Sequence, residues 1–134
     1  MKEDLEKNKE TVIGFYKTAF ADRDPDRAFQ YLGDYYRQHN PTVPDGKEAF
    51  LAFAKQRAAD NPGRVFEIRR VIAEDDYVVL HTSHVFAKTD KDYPDVPNGR
   101  VVADIFRLEK GKIVEHWDVI QAIPAKMAHG NTMY

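Results

Sequence analysis

At Val65 the hydrophobic period of this chain changes from that of a helix to that of a strand, and it never changes back. Upstream, Leu5, Val12, Ile13, Tyr16, Ala19 and Phe20 recur at helical spacing and predict an amphipathic helix from about Glu3 to Ala21. Asp24-Pro25-Asp26 predicts a second helix start, with a capping acid, a proline at the first helical position and an acid near the positive helix end. That helix carries Ala28, Phe29, Tyr31 and Leu32 and stops near Gly33. A third follows Asp45-Gly46-Lys47-Glu48, where Asp45 serves as cap and Glu48 sits three residues on. Phe50, Leu51, Phe53, Ala54 and Ala58 form its buried stripe, and Asn61-Pro62-Gly63 ends it. The segment from Tyr35 to Pro41 reads as a small strand or loop.

Downstream, strands are predicted over Val65–Ile72, Tyr77–Ala87, Val101–Leu108 and Ile113–Ile123, with Lys110-Gly111 as a hairpin turn between the last two. Helices first and meandering strands after predict an α+β fold. Three N-terminal helices on one face of a strongly curved, mostly antiparallel sheet enclose a pocket, a common place for a small molecule. The 134 residues fit one domain, 1–134, in which 124–134 form a tail.

Several chemistries are excluded by what is missing. There is no cysteine, so disulfides, thiolate metal sites and thiol nucleophiles are ruled out. Ser83 is the only serine and lies in no Gly-x-Ser-x-Gly elbow, and no glycine cluster forms a phosphate-cradling loop. A net charge of −2 with scattered lysines and arginines gives no footprint for nucleic acid or an anionic membrane. No apolar run approaches the ~20 residues that span a bilayer. The charged N-terminus is unlike a signal peptide, and the expected location is the cytoplasm.

Chemistry concentrates in the last predicted strand, Lys112-Ile113-Val114-Glu115-His116-Trp117-Asp118-Val119-Ile120, which interrupts an apolar run with three ionisable groups and the only tryptophan. Alternation puts His116, Asp118 and Ile120 on one face and Glu115, Trp117 and Val119 on the other; either could meet the pocket. A second carboxylate, Asp104, stands between Ala103 and Ile105 in the preceding strand. A regular two-residue turn pairs Glu109 with Lys112 and sets Asp104 opposite Trp117. One bulged residue sets it on the His116/Asp118 face instead.

A histidine and an aspartate two apart on a pocket wall form an acid–base pair. Their structural alternatives are a backbone hydrogen bond for His116 and an ion pair with Arg107 for Asp118. His39 and Asn40, before Pro41, are polar groups at a junction where binding residues often sit, or an ordinary surface loop. His81 and His84 are three apart on a strand, face opposite sides and cannot grip one metal. His81 and Trp117 join the substrate-binding candidates. A metal site of His116, Asp118 and His39 lacks a recognisable ligand spacing, so no metal is expected.

Gln38-His39-Asn40-Pro41, Asp45-Gly46-Lys47-Glu48, Val102-Ala103-Asp104-Ile105-Phe106-Arg107 and Gly111-Lys112-Ile113-Val114-Glu115-His116-Trp117-Asp118, in that order, resemble SnoaL-like proteins of the nuclear transport factor 2-like superfamily. The resemblance covers nearly the whole chain. It implies a cone-shaped α+β barrel, a homodimer packed through the open sheet face, and a deep apolar pocket. It further implies polyketide cyclase-like chemistry, an intramolecular aldol closure without metal or cofactor. Asp118 fits the acid–base aspartate, His116 its helper, Asp104 a polar group of the preceding strand, and His39 and Asn40 the polar residues before the third helix. Two functions are thus expected: a cofactor-free lyase, isomerase or cyclase acting on a small carbonyl compound, or a non-catalytic small-molecule-binding module. The expected partners are a small-molecule ligand and a second copy of the chain.

Overall fold

The computed structural model describes residues 4–134. Helix α1 runs Leu5–Tyr16 and is capped by Asp4, whose carboxylate accepts from the amide of Glu6 at 3.0 Å. It then widens into a π-helical turn over Lys17–Ala21, closed by the Asp22 amide bonding the Lys17 carbonyl. The expected continuous helix therefore ends in a wider turn; its first residue, Glu3, lies outside the described residues. Helix α2 is a single turn, Pro25–Ala28, extended by a 3-10 turn over Phe29–Tyr31.

Strand β1, Leu32–Gln38, begins where the second helix was expected to continue. Gly33 is not a helix stop but a point of close strand approach. A Cβ there would lie 2.7 Å from Cγ1 of Val114 on the neighbouring strand. Helix α3 runs Lys47–Asp60, but Gly46 holds its N-cap position. Asp45 does not cap it; its carboxylate accepts from the Gln38 amide at 2.7 Å and pins the end of β1.

Four strands follow: β2 Val65–Glu74, β3 Tyr77–Val85, β4 Arg100–Glu109 and β5 Lys112–Ala122. The sheet order is β1-β5-β4-β3-β2, with β1 parallel to β5 and the other three pairings antiparallel. The fold is α+β as expected, with the helices on one face of an open sheet. Among the described residues no helix is long and apolar enough to cross a membrane.

Helices and sheet meet through Val12, Phe15, Phe50, Leu80, Phe106 and Leu108, all nearly free of solvent contact. Phe15 is the hub, its ring centroid 5.3 Å from Phe50 and 5.8 Å from Phe106. Burying each such side chain contributes about 1.5–3 kcal/mol before entropy is counted.

The β4–β5 hairpin turns through Lys110 and Gly111, both at positive φ, as a two-residue turn matched to strand twist demands. Glu109 pairs with Lys112 and Leu108 with Ile113, but Arg107 pairs with Glu115. Val114 is therefore the extra residue of a bulge. Beyond it Asp104 stands opposite Asp118, and Ile105 opposite Trp117. Of the two registers open to the sequence, the bulged one is adopted.

Candidate functional site

Between the helices and the sheet lies a cavity of about 160 Å³. Its apolar wall comes from Phe15, Phe50, Val102, Phe106 and Ile120, and its polar wall includes Gln38, Asn40, Asp104, His116 and Asp118. The bulge at Val114 brings these groups together, because it puts Asp104 of β4 and His116 and Asp118 of β5 on the same sheet face.

His116 is held from both sides. Its Nε2 lies 2.8 Å from Oδ1 of Asp104 and 3.9 Å from Oδ2 of Asp118, and its Nδ1 lies 2.8 Å from Oε1 of Gln38. The Gln38 amide has a fixed orientation. The backbone N–H of Asn40 approaches the same oxygen at 3.0 Å, and an N–H can only donate. That atom is thus the amide oxygen, so Nδ1 of His116 must carry a hydrogen. The remaining proton of the cluster lies between Nε2 and Asp104, giving either imidazolium with carboxylate or imidazole with carboxylic acid.

The same logic orients two further groups. The Gln38 amide nitrogen donates to the Tyr36 hydroxyl at 3.1 Å, leaving the phenolic hydrogen free to point into the cavity. Burial, helped by the negative charge of Asp104, pushes the Tyr36 pKa well above its ordinary value, so the group stays a donor. Asn40 accepts at Oδ1 from the Thr42 amide at 2.8 Å, so its NH₂ faces Asp118 and donates to both carboxylate oxygens at 2.8 and 2.9 Å. One oxygen of Asp104, Oδ2, is buried without a partner among the described residues, an uncommon condition that marks a site awaiting one.

Asp104, His116 and Asp118 offer ligand atoms mutually within 4.8 Å, which is compact enough for a cation. Their present hydrogen bonds compete with that use. His116 Nε2 is engaged by Asp104, and Asn40 donates to both oxygens of Asp118, leaving one lone pair on each.

Three other sequence candidates lie elsewhere. His39 and Trp117 are on the outer face of the sheet, stacked with centroids 4.6 Å apart and planes 3° from parallel. His39 Nε2 is 2.7 Å from Glu115, which also accepts from Arg107 at 2.8 Å. Burial alone would raise the Glu115 carboxyl pKa, but the bonds from Arg107 and His39 outweigh it and the net shift is downward. His81 also faces outward, beside Arg70, with Nδ1 2.9 Å from the guanidinium. Strand alternation is the reason: Asn40, His116 and Asp118 take the inward positions and leave His39 and Trp117 outside.

His84, not His81, enters the cavity. Its Nε2 is 2.9 Å from the Tyr16 hydroxyl and 3.0 Å from that of Thr82. Burial first, then the nearby guanidinium groups of Arg64, Arg100 and Arg57, push its pKa down to about 2, so the ring is neutral. The cavity therefore has an acid–base end at Asp104, His116 and Asp118 and a cationic end at Arg57, Arg64 and Arg100. The arginines sit at element edges, where a sequence reading takes them for surface charge.

Residues 12–116 match the family model of the SnoaL-like domain. The fold is shared with TsrD from Streptomyces laurentii, which is 21% identical with a TM-score of 0.71 over 89% of this chain and 91% of that one. A candidate SnoaL-like polyketide cyclase from Jannaschia Sp. CCS1 is 20% identical, with a TM-score of 0.71 over 95% of this chain and 99% of its own. An uncharacterized cystatin fold protein from Novosphingobium aromaticivorans is 21% identical, with a TM-score of 0.73 over 84% of this chain and 97% of its own. At such identities the likeness is one of fold. No curated protein matches the sequence.

Proposed function

Because the chain belongs to the SnoaL-like domain family, we propose that its cavity performs acid–base chemistry on a small carbonyl compound, as a cofactor-free cyclase, lyase or isomerase. The observation that carries this reading is the cluster of Asp104, His116 and Asp118 on the wall of an otherwise apolar cavity. Polyketide cyclase is the description borne by several solved neighbours, and aldol closure is one reaction these groups could run.

Asp118 is the base. It takes a proton from the carbon next to the carbonyl; the C–H electron pair becomes the enolate, and the proton later returns to carbon or to the product oxygen. The Tyr36 hydroxyl donates to the oxygen as negative charge develops there. His116 has both nitrogens engaged, so it acts through Asp104, exchanging the shared proton and offsetting the charge of two adjacent carboxylates.

The test works without an identified substrate. A panel of small ketones and keto acids is incubated with the protein in deuterated water and followed by NMR. The expected result is deuterium entering the α-carbon of at least one compound with the wild type and not with Asp118→Asn. Compounds that raise the melting temperature but never exchange would instead support a pure binding module.

We also propose a homodimer formed through the outer sheet face, where Val65, Val85 and Val119 are each more than half exposed. Light scattering on the wild type and Val119→Lys tests it; a monomeric wild type would end the idea.

A further inference from the structure

We propose that the ligand of this cavity carries a carboxylate, and that Arg64 and Arg100 bind it at the end opposite Asp118. The inference deepens the acid–base reading, on which it rests, by naming a substrate class: a small carbonyl compound that is also a carboxylic acid.

Arg64 immediately precedes β2 and Arg100 opens β4, pairing across the sheet with His84. Both line the cavity. Arg64 is only 7% exposed, yet among the described residues no carboxylate forms an ion pair with it or with Arg100. Arg57, by contrast, is ion-paired with Asp92. The two unpaired guanidinium groups share one aromatic ring: their central carbons lie 6.0 Å and 5.2 Å from the centroid of Phe86. Aromatic faces offset part of the desolvation, but a buried and a half-buried like charge repel and, among the described residues, form no ion pair.

Two further atoms await a partner at this end. Nε of Arg100 and Nδ1 of His84 are buried and make no hydrogen bond among the described residues. Burial lowers the Arg64 pKa to about 10 and also lowers that of Arg100, with mutual repulsion contributing to the first and repulsion from Arg57 to both. An anion seated between them would offset that repulsion. A carboxylate suits the site because its two oxygens match the planar fork of a guanidinium. Its size fits too, since a cavity of about 160 Å³ is close to one that holds a single benzene ring.

The spacing joins this end to the chemistry. Arg100 and Asp104 are four residues apart on one face of β4, roughly 13 Å between backbone positions. Their side chains converge into the cavity from both ends. A carboxylate anchored at the arginines would thus leave a carbonyl several bonds away beside Asp118 and Tyr36.

Isothermal titration of the full chain with benzoate, benzamide and inorganic phosphate is the test. Benzoate is expected to bind at least about tenfold more tightly than benzamide, the scale of a charge-assisted hydrogen bond. Arg64→Gln and Arg100→Gln should each weaken benzoate about tenfold and leave benzamide within about twofold. If either variant fails to fold, the arginine Nε–H resonances of the wild type serve instead, shifting with benzoate and not with benzamide. Equal binding of benzoate and benzamide, unmoved arginine resonances, or tighter binding of phosphate than of benzoate would each overturn the proposal. Asp118→Asn separates the two readings: it should retain or strengthen benzoate binding while losing α-proton exchange. Benzoate selectivity with no exchange on any compound would sink only the catalytic reading, and exchange confined to neutral ketones without benzoate binding only this one.

Discussion

Oε1 of Gln38 accepts a hydrogen bond from Nδ1 of His116 at 2.8 Å, and the Asn40 amide, at 3.0 Å from the same oxygen, fixes which atom of the side chain it is. The histidine tautomer is thus written into the backbone of the β1 exit. Nitrogen-15 NMR of His116 should find Nδ1 protonated at neutral pH in the wild type. Gln38→Leu should release that constraint and slow turnover by up to ~10²-fold, the scale of a misoriented group. An unprotonated Nδ1 in the wild type would contradict the assignment.

Asp118→Asn should lower α-proton exchange by about 10²–10⁴-fold, the usual contribution of a positioned base. The variant should still fold, since the new side-chain amide would keep one acceptor for Asn40. Asn40→Ala removes both bonds to Asp118 and should give a smaller loss, with the carboxylate present but less well aimed. Equal turnover in wild type and Asp118→Asn would move the base elsewhere, with Asp104 next in line.

Tyr36→Phe deletes the one hydroxyl whose hydrogen is left free by the Gln38 network. A loss of about 10²–10³-fold in kcat with little change in KM is expected of an oxyanion donor. A rise in KM alone would reduce Tyr36 to a wall of the cavity.

His84 makes stability depend on acid. The ring is held neutral in the fold down to about pH 2, whereas in the unfolded chain it titrates near 6.5. Between those values the unfolded state binds the extra proton, so stability is fully present above pH 6.5 and falls as the solution is acidified. Among the described residues the groups facing the ring are Tyr16, Thr82, Arg57, Arg64 and Arg100, none of them a carboxylate that would favour its protonation. Urea unfolding should show the wild type losing up to about 2 kcal/mol more than His84→Gln between pH 7 and pH 5. Parallel losses in the two proteins would mean that His84 is protonated in the native state.

The sequence carried the helices and strands to within a few residues because their apolar periods differ and their turns have distinctive chemistry. Gly33 misled because a glycine packed against a neighbouring strand looks, in one dimension, like a helix stop. The pairing of Asp104 with Asp118 stayed open because the bulged residue is a valine among other apolar residues, and nothing in its chemistry marks it as extra. His81 and His84 could be assigned to opposite faces but not to inside and outside. That choice was made by Tyr16, 68 positions away in sequence from His84. Arg64 and Arg100 escaped notice because a charged residue at a strand end is ordinary until its partners are seen to be missing.

The extra residue at Val114 means that the cavity's chemistry depends on a count as well as on residue identity. With Val114 present, a regular ladder would pair Asp104 with Trp117 and turn His116 and Asp118 to the opposite face; the bulge absorbs the extra residue and keeps Asp104 level with Asp118. A relative with one fewer position in that arm would reach the same pairing through a regular hairpin, whereas one with the same count and no bulge would share the inventory and lack the site. The length of the arm between Gly111 and Glu115, taken together with whether it is bulged, therefore separates members that can assemble this cluster from those that only contain its parts.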